Sequence, residues 1–75
     1  MTSGTALLYA LPGCVHCDAK RAELHARGVV VREVDVRAHP EVVPELLKLT
    51  GGRRVVPVVV EGTRIEIAPA GGSAF

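Results

Sequence analysis

Hydrophobic residues fall along the chain in short blocks, each closed by glycine or proline. Thr5 to Ala10, TALLYA, is a continuous apolar run between Gly4 and Pro12-Gly13, the pattern of a buried strand. A helical period takes over near Cys14. Val15, Ala19, Ala22 and Ala26 share one stripe of small residues, which would let a helix lie close to a sheet. Leu24 falls off that stripe, so the pattern leaves the buried face open. Gly28 is the expected residue just past the helix end. Val29 to Val36, VVVREVDV, is the clearest strand. Arg37 to Pro40 connects it to Glu41 to Thr50, where Val42, Val43, Leu46 and Leu49 recur at helical spacing and Gly51 stops the run. Pro44 is tolerated in a first turn but costs about 3 kcal/mol in a helix interior. This helix therefore starts after Pro40 or bends at its start. Val55 to Val60, VVPVVV, and Thr63 to Ala68, TRIEIA, flank Glu61-Gly62 as a hairpin would. The second of these alternates, with Ile65 and Ile67 on one face and Arg64 and Glu66 on the other. The tail, PAGGSAF, reads as an irregular end.

The expected order is β-α-β-α-β-β, an α/β fold. Strand, crossover helix and strand give a right-handed parallel unit. The closing hairpin adds antiparallel strands, which makes a four-stranded mixed sheet carrying two helices.

Composition narrows the picture. The 75 residues suffice for one small domain, residues 1–75, whose core is marginal and whose loops must be short. Hydrophobic residues make up 48% but aromatics only 3%, so the core is aliphatic and rich in valine. With Tyr9 and Phe75 the only aromatics, there is no base-stacking surface. A net charge of +1 with interleaved signs offers neither a nucleic-acid footprint nor a polybasic membrane patch. The start, MTSGTALLYAL, has no basic n-region, and no apolar run approaches the roughly 20 residues that span a bilayer. A cytoplasmic monomer without a signal peptide is expected.

The chain has two cysteines, Cys14 and Cys17, three positions apart after the first strand. A bridge between them closes too small a loop to act as a structural staple. Cys-X-X-Cys at a helix start has a chemical logic. The first turn offers unpaired N–H groups and a partial positive charge, and both favour thiolate over thiol. Cys14 would be the exposed nucleophile, and Cys17, one turn deeper, would resolve the mixed disulfide. In a βαβ setting the motif reads as thioredoxin-like. A soft-metal clip for binding or delivery is the alternative, although a structural zinc site needs four ligands and His16, His25 and His39 are not spaced to complete one. No metal ligand is assigned, nor any role to His25 and His39. His16, between the cysteines, would as imidazolium stabilise the thiolate further. Pro57 opens a run of valines where a central strand disfavours proline, a conflict that a cis Val56–Pro57 bond resolves.

Cys14-Val15-His16-Cys17 after the first strand, Gly28-Val29 eleven residues beyond Cys17, Val34-Asp35-Val36, and Leu49-Thr50-Gly51 ahead of Val56-Pro57 together resemble glutaredoxins and related small redoxins. The resemblance spans nearly the whole chain. It implies a thioredoxin-like fold of the glutaredoxin type, with Cys14 as nucleophile, Cys17 as resolving thiol and Pro57 in cis beside them. It implies that the backbone at Val56 pairs with a bound thiol substrate like an added strand. Its partners would be protein or glutathione disulfides, with glutathione or a reductase as electron donor. No resident cofactor is implied, and glutathione is a candidate co-substrate. Arg53 and Arg54 are candidate contacts for a glutathione carboxylate.

The departures from the family pattern bear on the donor. Leu11 stands where glutaredoxins commonly carry a glutathione-contacting lysine. Gly71-Gly72 is followed by Ser73 rather than by an acidic residue, and the usual C-terminal helix is absent. The motif is near the Cys-Val-Gln-Cys of redoxins that take electrons from thioredoxin reductase. The length, the Thr50-Gly51-Gly52 and the glycine-rich tail are similar to a group of very short glutaredoxin-like proteins, some with selenocysteine. The Gly-Phe-Ser of iron–sulfur glutaredoxins is not present.

Overall fold

The computed structural model describes residues 4–75; the first residues of the expected leaderless start, 1–3, lie outside them. Strand β1 (Thr5–Ala10) leads into helix α1 (Val15–Ala26), then strand β2 (Val30–Asp35). A single 3₁₀ turn, Pro40–Val42, runs into helix α2 (Val43–Thr50). Four short strands follow: β3 (Val55–Val56), β4 (Val58–Glu61), β5 (Arg64–Ile67) and β6 (Ser73–Ala74). The main sheet has the order β2-β1-β4-β5. Its β1–β2 pair is parallel, and β1–β4 and β4–β5 are antiparallel. This is the four-stranded mixed sheet with two helices of a thioredoxin-like fold.

Two local expectations fail, the single VVPVVV strand and the irregular tail, while the cis proline, the bent start of the second helix and its glycine stop hold. VVPVVV is not one strand: the Val56–Pro57 bond is cis, and the run divides there into β3 and β4. The tail is not irregular, because its Ser73–Ala74 pairs antiparallel with β3 in a second, two-stranded sheet. The second helix bends at its start, with the proline-led 3₁₀ turn preceding α2 and Pro44 in the first turn of α2, where no N–H is required. Gly51 closes α2 in the left-handed region at φ 70°, which a side chain would resist.

The small-residue stripe of α1 faces the wrong way. Val15 is 75% exposed, and Ala19, Ala22 and Ala26 are exposed too. The buried face is Cys17, Lys20 and Leu24, at i, i+3 and i+7. A lysine can join it because Glu66 on β5 meets its amine at 3.0 Å. That contact also sets the layers. Glu66 lies opposite Val59, which lies opposite Leu8, so α1 covers that face. Tyr9 points to the other face, where its hydroxyl donates to Glu45 of α2 at 2.5 Å. One helix therefore packs on each side of the sheet. Leu8, Tyr9, Val58 and Val59 are buried between them with Leu24 and Leu46, and each such side chain contributes about 1.5–3 kcal/mol by leaving water. Of the two isoleucines expected to share a face of β5, Ile67 packs on the core and Ile65, beside the hairpin turn, stays exposed. Among the described residues no helix is long and apolar enough to cross a membrane.

Candidate functional site

The site forms where β1 ends and α1 begins. Cys14 is the N-cap of α1, in extended conformation at φ −87° and ψ 111°. An N-cap side chain accepts hydrogen bonds from the first turn, usually through oxygen. Here a sulfur does so: the Cys17 N–H donates to Cys14 Sγ at 3.2 Å. The Ser73 hydroxyl also donates to it at 3.4 Å. Burial works against ionisation of Cys14. The donors from Cys17, Ser73 and the helix turn outweigh it, and the thiol is held below its ordinary pKa. Cys17 moves the opposite way. Its burial, and then its hydrogen bond to Cys14, push it up to about 12. One sulfur is poised to carry negative charge while its neighbour keeps a proton.

Cys14 is not the exposed thiol expected from the motif. It is 3% exposed, and Cys17 is fully buried. Ser73 stands against the Cys14 sulfur, carried there by β6. Val56, the residue before the cis proline, lies opposite Ser73 in the β3–β6 pair, so its backbone edge is already taken.

The other residues singled out divide into two groups. The His16 imidazole lies along Gly71, where a Cβ would stand 3.1 Å from Cε1. The His16 backbone N–H is among the groups that lower the Cys14 pKa. Pro57 and His16 line a cavity of about 180 Å³ with Lys20, Glu23, Pro69 and Gly71. Arg53 is exposed, with its backbone N–H and carbonyl both bonded to the Thr50 hydroxyl. The Arg54 guanidinium is engaged by the tail. It stacks over the Phe75 ring at 4.7 Å, and its Nε donates to the Phe75 main-chain oxygen at 2.8 Å. The structure thus gathers Cys14, Cys17, His16, Val56 and Pro57, and leaves Arg53 at the surface.

Two participants were missed from the sequence. Ser73 reads there as a departure from a Gly-Gly-acidic pattern, and only the β3–β6 pairing brings it to the sulfur. Lys20, singled out by no motif, lines the cavity from the buried face of α1, and its spacing of three from Cys17 was the available signal. Among the described residues, no group of three His, Cys, Asp or Glu side chains comes together to hold a metal ion.

A sequence model described as Glutaredoxin matches residues 6–65. No match was found among the curated proteins or the solved structures.

Proposed function

The chain belongs to the glutaredoxin family, a family of thiol–disulfide redox proteins, and from that premise we propose that it is a dithiol disulfide reductase and electron carrier. Cys14 is its nucleophile and Cys17 its resolving thiol. The observation that carries this reading is Cys14 at the N-cap of α1, its sulfur accepting from the Cys17 N–H at 3.2 Å and the Ser73 hydroxyl at 3.4 Å, which holds it low while burial pushes Cys17 up to about 12.

The Cys14 thiolate attacks one sulfur of a substrate disulfide. A Cys14–substrate disulfide forms, and the other substrate sulfur leaves as a thiolate that takes a proton from water. Cys14 then no longer bears the charge that raised Cys17, whose remaining opponents are burial and the Asp18 carboxylate. Cys17 loses its proton and attacks Cys14 Sγ, which closes the Cys14–Cys17 disulfide and releases the second substrate thiol. Two electrons and two protons have moved from the protein dithiol to the substrate. The backbone N–H groups of His16 and Cys17 hold the sulfur's charge. His16 and Pro57 border a cavity of about 180 Å³ that could take a substrate side chain.

The substrates in this reading are protein or glutathione disulfides. The family's general use of glutathione makes it one candidate donor, and a reductase the other. Glutathione acts only as co-substrate, with no resident cofactor. Such a dithiol works in a reducing compartment, and the reading puts it in the cytoplasm.

Turnover of a model disulfide tests the proposal. Cys14→Ser should abolish it, and Cys17→Ser should accumulate a mixed disulfide on Cys14, seen by intact mass. Wild-type turnover in Cys14→Ser would overturn the reading. Reduction of the Cys14–Cys17 disulfide by glutathione and by thioredoxin reductase, side by side, identifies the donor.

A further inference from the structure

The edge of β3 that faces Cys14 is occupied by the chain itself. Of the two edges of this short strand, β6 takes the one on the sulfur side, as the Ser73 contact to Cys14 demonstrates. Three groups of tail contacts hold it there. Ser73 lies opposite Val56 and Ala74 opposite Val55, as antiparallel partners. The Ser73 hydroxyl reaches Cys14 Sγ. Phe75 sits under the Arg54 guanidinium and its N–H donates to the Arg54 carbonyl at 3.3 Å.

Side chains are missing where this path is tightest. A Cβ on Gly72 would collide with the Val56 carbonyl oxygen, and one on Gly71 would press on the His16 ring. The approach to Val56 is open only to a backbone without side chains at these two positions. Directly after them comes a residue whose Oγ occupies the position a cysteine Sγ would have.

We infer that residues 71–75 are an internal pseudosubstrate, a displaceable strand that holds Ser73 Oγ where the attacked sulfur of an extended peptide disulfide would lie. This rests on the reductase reading above and deepens it. The substrate class is an extended segment that adds antiparallel to Val55–Val56, with its cysteine in the place of Ser73 and glycine directly before it. The tail must leave before such a segment can pair. The pairing is two residues long, Ala74 is exposed and Ser73 half-buried, and only Phe75 packs on the core, so the cover can be displaced rather than sealed. Its departure also frees Arg54.

The test reads the tail without needing turnover. In a Cys17→Ser background Cys14 is the only thiol, and its alkylation by iodoacetamide is measured up to the high-pH plateau, where ionisation no longer contributes. Adding Gly72→Ala, which cannot lie against Val56, should raise the plateau rate about tenfold, the factor for a cover open about a tenth of the time. Ser73→Cys in the same background probes the place of the tail independently of that variant's folding. Diamide should oxidise the two thiols to a disulfide within one chain, joining Cys14 to the thiol introduced in the tail. The two electrons and two protons pass to the diamide N=N bond, and the protein mass falls by two hydrogens. Equal plateau rates overturn the inference, and so does failure of the intramolecular bond to form. Should both results come out as expected while the wild-type protein reduces no disulfide, the tail occupies the edge and the reductase reading is what fails. With turnover present, Gly72→Ala should lower KM for a peptide disulfide.

Discussion

Replacing Lys20 by methionine removes a charge from the middle of the buried face of α1 while keeping the length and packing of the stem. Lys20 is 8% exposed, and its amine meets Glu66 at 3.0 Å and Glu23 at 3.1 Å. The two pairs differ in weight. Glu23 is 53% exposed, and an exposed pair three residues apart on a helix is worth about 0.3–0.5 kcal/mol. Glu66 is 22% exposed and also meets Arg64 at 2.8 Å, so it keeps one partner and some water when the lysine goes. Its loss of Lys20 falls between the surface and the buried limits, at about 1–1.5 kcal/mol. The total expected cost is about 1–2 kcal/mol near neutral pH, or about 4–8 °C of Tm per kcal/mol for a domain of this size.

The pH dependence separates charge from packing. The Lys20 hydrogen bond, foremost, holds Glu66 below its ordinary value of 4.5. The stability it contributes is complete above that value and is lost as pH falls through the lowered one. Lys20→Met never has this contribution, so its deficit against wild type should shrink between about pH 7 and about pH 3. At the alkaline end, burial opposes the charge on Lys20 but the bonds to Glu66 and Glu23 prevail, and its pKa is raised. Its contribution is therefore complete up to the ordinary value of 10.5 and fades only above it. Urea unfolding at several pH values, with Glu66→Gln completing a double-mutant cycle, measures both effects. An equal deficit at both pH values would refute the electrostatic account and leave the lysine stem's packing as the cause.

Tyr9→Phe should cost about 1–1.5 kcal/mol in chemical denaturation, because it removes the hydroxyl that donates to the exposed Glu45 of α2. Burial, and then that carboxylate, push the Tyr9 phenol up to about 12, so its ultraviolet titration should lag that of free tyrosine. Ala68 is the one described non-glycine residue in the left-handed region, at φ 44°, where the chain leaves β5 for the tail. Ala68→Gly should relieve strain and stabilise the protein by up to about 1 kcal/mol, read as a rise in Tm; an unchanged or lowered Tm would count against strain there.

Much of this protein was legible residue by residue. The element order follows from the spacing of apolar residues and the glycines and prolines between them, which act over a few positions. The redox pair and its place at a helix start are likewise local, because a helix N-terminus offers its N–H groups to whatever residue caps it. The buried face of α1 was not legible. Small residues fit any face of a helix, and a lysine is buried only once a carboxylate from another strand arrives to meet it. That carboxylate, Glu66, is 46 residues away.

The roles around the sulfur divide the same way. The His16 imidazole, the group that the motif singles out, lies along Gly71, and the His16 backbone N–H, which any residue there would supply, also helps hold Cys14 low. The tail shows the limit most clearly. PAGGSAF has no period and few apolar residues, so nothing local marks it as a strand. It becomes one because β3 presents an unpaired edge, and because Gly72 can approach Val56 without a side chain in the way. The sequence alone determined that Cys14 and Cys17 stand at a helix start with a proline-led strand to follow. Only the tertiary structure decided that Ser73–Ala74 pairs with β3 and sets a hydroxyl against the Cys14 sulfur, since an edge strand takes its partner by proximity in space, not by anything written beside it in the chain.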